Sequence, residues 1–305
     1  MKVGFVFTNY NNSAYTRAAV ASLRQGGAGD QARVVIVDNQ SNQDDVEALR
    51  EIAREYPAVE LILNPENVGY FKGLNVGIRR VREQRPELDH IVVGNNDLVF
   101  PANFVDAMWE CRAVLDTHAV VAPDLVTRDG VHQNPHVLFP IGAGRKLVWD
   151  LYFLSYVAAV LIRSLASYTR PLTVRRENAR GSDLYRTPGP IEQAYGACYI
   201  LGPVFFRHFD RLCAPTFIME EEFFLNEQLN AIGQMVYYDP RLVVQHYNHA
   251  TTSQFPSRRQ WAIAREAHRV YKRYLRLSPP ERERMIRAES RMDPVPDRRP
   301  AGVPR

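Results

Sequence analysis

VVIVDNQS, residues 34–41, is a short apolar run that ends in an acid and a polar turn. A run of this length bounded by turn residues reads as a strand buried on both faces, as in a parallel sheet covered by helices. Asp38 then stands just past the strand's carboxyl end. The arrangement recurs. IVVGNNDLVF (91–100) places Asn95, Asn96 and Asp97 after a second such run, and RLVVQHYNH (241–249) places His246 at the end of a third. Glu220, Glu221 and Glu222 form an acidic run just before Phe223 and Phe224. In an open α/β sheet, ligands bind in the crevice beyond the carboxyl ends of the strands. Polar residues delivered there by separate strands therefore meet in one cleft. Hard oxygen ligands, one imidazole and a spare carboxylate suit a nucleoside diphosphate held with a divalent cation, with the carboxylate left to act as a base.

The rest of the chain supports that layout. Residues 3–7 read as a first strand, and Ser13 caps a helix to about Gln25, stopped by Gly26 and Gly27. A helix opened by Asp44 and Asp45, a strand over 61–63, a helix over 73–81 and a strand over 91–93 follow. Strand–helix alternation of this kind argues for a mostly parallel sheet with helices on both faces. The stretch 124–190 is less regular. Within it Leu147, Leu151, Leu154, Ala158, Leu161 and Leu165 fall at helical spacing. Residues 222–232 read as a helix stopped by Gly233, and 236–238 and 242–244 as short strands around an Asp239-Pro240 turn. Residues 258–277 form an amphipathic helix. From Ser278 the chain is rich in Pro, Arg and Glu, and a loosely ordered tail is expected over 278–305.

At 305 residues, with 46% hydrophobic and 24% charged content, the chain can bury a full core as a soluble globular protein. A net charge of +4 favours anionic partners such as nucleotide sugars or acidic lipid surfaces. No basic stripe with interleaved aromatics or reader motif points to nucleic acid. Cys111, Cys198 and Cys213 are an odd number without metal spacing, which fits a reduced, cytoplasmic chain. The first strand begins at once, so no signal peptide is expected. The longest apolar run, 151–162, is too short to span a bilayer.

Each candidate residue reads two ways on local sequence. Asp38 could accept hydrogen bonds from a base or ribose, or close an Asx turn. Residues 64–77, NPENVGYFKGLNVG, could hold phosphates against backbone N–H groups, with Asn67 and Asn75 offering amides and Lys72 a cation, or could be an ordinary strand-to-helix connection. Asp97 could ligate Mg²⁺ or Mn²⁺, or belong to a polar turn. The glutamates could supply a general base, or complement a helix dipole. His246 could be a metal ligand or a satisfied polar group, with His249 its close competitor.

Together these pieces resemble the inverting glycosyltransferases of family 2, which have the GT-A fold. The match runs over residues 1 to about 253. Phe7 to Asn11 is similar to the family's first strand and nucleotide loop, and Val37 to Ser41 to its base-binding VDNxS element. Asn67-Val68-Gly69 through Asn75-Val76-Gly77 resembles its ENxGfxxGxNxGi segment. Asn95-Asn96-Asp97 falls where the family carries its DxD motif, with Asn95 replacing the first acid, as in rhamnosyltransferase-like members. Gly196-Ala197-Cys198 resembles a loop before the acceptor side. Residues 217–222 resemble the segment whose last acid is the catalytic base, and residues 240–246 the PxxxVxH strand whose His binds metal. Phe224 stands where the family usually has an aspartate, which marks a divergent acceptor side.

The resemblance implies a GT-A domain over 1–253, with a nucleotide-binding half (1–123) and an acceptor half (124–253) carrying a helical insertion near 145–185. It implies a nucleoside diphosphate sugar donor, dTDP-rhamnose or a UDP-hexose. It implies a glycan or lipid-linked acceptor, as in surface polysaccharide synthesis. Thr8, Asn9, Tyr10, Asp38, Asn67, Lys72, Asn75, Asn95 and Asn96 would bind the donor, and Asp97 and His246 the metal. Glu222 would be the base, with Glu221 second. Residues 146–165 (Lys146 to Leu165) are apolar on most helical faces with aromatic and basic flanks. They would either meet a membrane interface peripherally or bury in the core or a dimer contact. Two rivals remain. A nucleotidyltransferase would need a Gly-rich basic loop after the first strand, which Thr8-Asn9-Tyr10-Asn11 lacks. A binding protein without activity is suggested by Asn95.

Overall fold

The computed structural model describes residues 2–25, 32–137, 143–166, 184–247 and 257–291. Its N-terminal half alternates as the apolar runs demand: β1 (Val3–Asn9), α1 (Ser13–Gln25), β2 (Arg33–Asp38), α2 (Gln43–Glu55), β3 (Val59–Leu63), α3 (Tyr70–Gln84) and β4 (His90–Asn95). Successive strand residues point to opposite faces, and both faces are covered. Phe5, Phe7, Val34 and Ile36 pack with Val20 and Leu23 of α1 and Leu49 and Ile52 of α2. Val6, Val35 and Val37 pack on the other side with Phe71, Leu74, Ile78 and Val81 of α3. Gly77 permits this closeness, since a Cβ there would lie 2.3 Å from Val6 Cγ1.

The second half adds β5 (Leu98–Val99), α4 (Phe104–Glu110), α5 (Arg112–Thr117), β6 (Val120–Thr127), α6 (Ala143–Tyr152) and α7, helical over 156–166. Then come β7 (Gly189–Ile191), β8 (Cys198–Leu201), α8 (Pro203–His208), α9 (Glu221–Asn230), β9 (Val236–His246), α10 (Arg258–Leu275) and α11 (Pro279–Ser290). One sheet runs β3-β2-β1-β4-β8-β6-β9-β5, with β7 also on β9. Strands β3, β2, β1 and β4 are parallel, and β8 joins β4 antiparallel. This is the expected α/β architecture.

Three expectations need correction. Asp239-Pro240 does not turn the chain: β9 continues through it, and its register against β6 shifts between Pro123 and Asp124. Proline lacks an N–H for the ladder, so a bulge is where a strand tolerates it. Asp239 there accepts from the Arg241 backbone N–H at 3.1 Å and its guanidinium at 2.9 and 2.6 Å.

The chain after Ser278 is not loose over α11. Ser278 and Glu281 form a capping box, which satisfies the first-turn donors. Ile286 is buried against Phe224 and Tyr274. One apolar anchor and a cap outweigh the polar composition there. Residues 292–305 lie outside the described chain.

The leucines at helical spacing are neither one helix face nor core. The helix breaks between α6 and α7, where the Ser155 hydroxyl accepts from the Ala158 N–H at 3.1 Å. Leu147, Leu151, Leu154, Leu161 and Leu165 are exposed. The insertion instead grips α10 through Phe153, Ala159, Trp261 and Ala264. Asp150 adds contacts to His268 at 2.9 Å and Lys272 at 2.7 Å. The basic residue Arg170 and the far end of the insertion lie outside the described residues.

Candidate active site

β1 and β4 are parallel neighbours with Thr8 beside Asn95, so the polar ends of both strands share one rim. Beneath the rim lies a buried polar knot. Asn9 Nδ2 donates to Asp38 at 2.9 Å and Asp45 at 2.7 Å. Asn9 Oδ1 accepts from Thr16 and from Asn96 Nδ2, each at 2.9 Å. Asp38, 1% exposed, also accepts from the Ser41 backbone N–H at 2.9 Å. Asn9, Asp38 and Asn96, expected as ligand contacts, are thus engaged with the protein and brace the rim. Thr8 and Asn95 are half-buried and Tyr10 is exposed.

Two more expected contacts point elsewhere. Both polar atoms of the Asn75 amide bond the Leu212 backbone at 2.8 Å, latching α3 to the segment before α9. Lys72 lines a separate cavity of about 210 Å³ with Asn75, Val76, Arg79, Arg211, Ala214 and Glu289. Asn67 accepts from the Gly69 N–H at 3.0 Å. Gly69 itself is required: its φ is +91°, and a Cβ would fall 1.9 Å from the Phe217 carbonyl oxygen. That carbonyl accepts from the Tyr70 N–H at 3.0 Å, tying the start of α3 to the loop that leads to the glutamates.

That loop is strained. Met219 and Glu220 both have positive φ, 72° and 65°. Left-handed non-glycine residues cost about 1–3 kcal/mol each and concentrate at functional sites. Thr216 Oγ1 donates to the Met219 carbonyl at 2.9 Å and holds the turn. α9 then starts at Glu221.

Burial raises all three glutamates. Glu220 is pushed up to about 7 by burial and then by the Glu222 charge. Glu221 is pushed up to about 8 by the same two causes. Burial also raises Glu222, opposed by backbone hydrogen bonds from its own N–H and from Gly196. The Gly196 N–H lies 3.2 Å from Glu222 Oε1, and Tyr70 Oη donates to the Gly196 carbonyl at 2.8 Å. A side chain on Gly196 would collide with this carboxylate, at 2.4 Å.

On the other wall, the pairing of β5 with β9 sets Leu98 opposite His246, and so brings Asp97 to the strand end. Asp97 Oδ1 faces His246 Nε2 at 3.2 Å. The other ring nitrogen, Nδ1, is 2.7 Å from Gln133 Oε1. Tyr195 joins the two walls. Its ring centre is 5.7 Å from that of His246, it precedes Gly196, and the charges of Glu222 and Asp97 both help burial to raise its phenol. Tyr195 thus packs near His246, and the next residue, Gly196, bonds Glu222. His249 lies outside the described residues.

The residues present fit a hard divalent cation. The Gln133 contact at Nδ1 holds the ring with Nε2 facing a carboxylate oxygen. Their separation suits two adjacent ligands of one ion with bonds of about 2.0–2.2 Å. Among the described residues no group of three or more His, Cys, Asp or Glu could hold a metal. A cation here would draw its remaining ligands from donor and water. Gln133, Tyr195 and Tyr70 carried no sequence signal for these roles. Gln133 sits in the irregular stretch and Tyr195 just past it, while Tyr70 lies inside the 64–77 motif, whose amides and cation drew the reading.

A mostly parallel sheet covered by helices, with polar residues at the carboxyl ends of its strands, is the layout of the GT-A fold. The family model for glycosyl transferase family 2 matches residues 5–166, and the chain belongs to that family. Its fold is similar to that of the mannosyltransferase PcManGT from Pyrobaculum calidifontis, solved with GDP-Man and Mn²⁺. The TM-score is 0.52 at 14% identity, over 94% of this chain and 68% of that one. It is also similar to GalNAc-T7, solved with UDP, GalNAc and Mn²⁺, with a TM-score of 0.51 at 13% identity over 81% of this chain and 44% of that one. No curated protein matches the chain in sequence.

Proposed function

We propose that this glycosyltransferase moves a sugar from a nucleoside diphosphate sugar to an acceptor hydroxyl in one inverting displacement. The observation that carries the reading is that Asp97 meets His246, His246 packs near Tyr195, and the adjacent Gly196 bonds Glu222. Asp97 and His246 would hold Mg²⁺ or Mn²⁺, which when bound neutralises charge on the departing diphosphate. The neighbours solved with Mn²⁺ and nucleotides support that assignment. Thr8, Tyr10, Asn67 and Asn95 contact the donor, while Asn9, Asp38 and Asn96 keep that rim rigid. Lys72 and Asn75 support it from outside.

Glu222 takes the proton from the acceptor hydroxyl as its oxygen bonds the anomeric carbon. The bond to the diphosphate breaks on the opposite face, and its electron pair leaves with the nucleotide. A carboxylate raised by burial is a stronger base than one in water, and such help is worth ~10²–10⁴-fold in rate. Glu221 is the second candidate. The donor is dTDP-rhamnose or a UDP-hexose, and the acceptor a glycan or lipid-linked glycan of a surface polysaccharide. The exposed apolar residues of 146–165 support work at the inner face of a membrane. No described helix is long and apolar enough to cross one.

The test is release of nucleoside diphosphate from a donor panel, with and without Mn²⁺. Metal-stimulated release with one donor is expected. Tight donor binding with no release under any condition would favour the inactive binding protein that Asn95 raises. Flotation with anionic vesicles tests the membrane contact, and failure to float rejects it.

A further inference from the structure

The loop that precedes Glu220 has a second side. Residues 217–219, α6, α7 and the first turns of α10 enclose a groove of about 860 Å³. Trp149, Phe153, Ile162, Phe217, Ile218 and Trp261 are among its walls. Its charged lining residues are Arg163 and Arg259. Tyr10 and Asn67 also line it, so it is continuous with the donor rim. Around it, Leu147, Leu151, Leu154, Val157, Leu161 and Leu165 are exposed. Apolar surface gathered in this way marks a binding site rather than ordinary surface.

The chemistry of the walls narrows the occupant. A free glycan needs hydrogen-bonding partners along its length, and these walls offer few. Aliphatic and aromatic walls suit a hydrocarbon chain, and guanidinium groups suit phosphate oxygens. We propose that the groove seats the hydrocarbon chain of a phosphorylated amphiphile whose headgroup carries the acceptor hydroxyl. Arg163 and Arg259 take the phosphate, and the headgroup extends past Met219 toward Glu222. The inference rests on the transferase reading and narrows its acceptor to the lipid-linked class. The exposed leucines then rest on the membrane that supplies the amphiphile.

Two of the chain's 3 tryptophans, Trp149 and Trp261, line the groove, which gives a direct readout. In a Trp109→Phe background the full chain is titrated with farnesyl phosphate, with inorganic phosphate and with farnesol, following tryptophan emission. Nucleoside diphosphate binding with Mn²⁺ is measured separately by calorimetry. The expected result is saturable change with farnesyl phosphate and none with inorganic phosphate. Ile162→Glu, at a half-buried wall position, weakens farnesyl phosphate binding about tenfold or more. Arg163→Glu weakens farnesyl phosphate but leaves farnesol unchanged, which keeps the test open should the first variant fold poorly. No saturable response while nucleoside diphosphate still binds overturns the groove and leaves the transferase. The reverse pattern keeps the groove and removes the donor reading. Concentration-dependent dimerisation with no response to farnesyl phosphate assigns the groove to a second copy and overturns the proposal.

Discussion

Gln133 Oε1 lies 2.7 Å from His246 Nδ1, and this contact decides which ring nitrogen faces Asp97. With the amide oxygen accepting from Nδ1–H, Nε2 would be the nitrogen that ligates the proposed cation. Partners of this kind behind a ligating histidine are worth about 10–100-fold in metal affinity. Gln133→Leu should weaken Mn²⁺ binding by that factor, read by calorimetry with a nucleoside diphosphate present. Unchanged Mn²⁺ affinity would make Gln133 a bystander.

Glu222→Gln keeps the shape and removes the proton acceptor. Turnover should fall ~10²–10⁴-fold with nucleoside diphosphate affinity retained. Near-normal turnover would pass the role to Glu221.

The glutamate run also predicts a pH dependence of stability. Glu221 has its folded pKa raised, to about 8, so the native state binds its proton more tightly than the unfolded chain. The stability this contributes is complete below the ordinary carboxylate value and is lost as pH rises through about 8. Denaturant melts between these limits should show stability falling with pH, and Glu221→Gln should flatten that fall. A wild type equally stable across the window would remove the shift.

Ile286 tests the docking of α11. It is 1% exposed, and its truncation to Ala should cost about 2–5 kcal/mol in denaturant melts. A variant as stable as wild type would mean that α11 contributes nothing to the fold.

The buried strands, and the places of Asp97 and His246 at strand ends, were legible in the sequence for one reason. An apolar run that ends in a polar residue fixes both a strand and the edge of a cleft. The polar knot was harder. Asn9, Asp38 and Asn96 have the residue types of ligand contacts, but their partners, 29 and 87 positions apart, appear only on folding. Composition misled at α11, where one capping box and one isoleucine offset a polar sequence. Spacing misled at 147–165, because Tyr152 and Phe153 rather than the leucines found a partner in α10. Gln133 and Tyr195 were invisible because nothing periodic surrounds them.

The pairing of Asp97 with His246 across one cation is the claim from which the rest follows, and calorimetry of a nucleoside diphosphate with and without Mn²⁺ tests it directly. Wild type should bind the nucleotide more tightly with Mn²⁺, while Asp97→Asn and His246→Ala should lose that gain and Glu222→Gln should keep it. Mn²⁺-dependent binding that persists in both Asp97→Asn and His246→Ala would contradict the account.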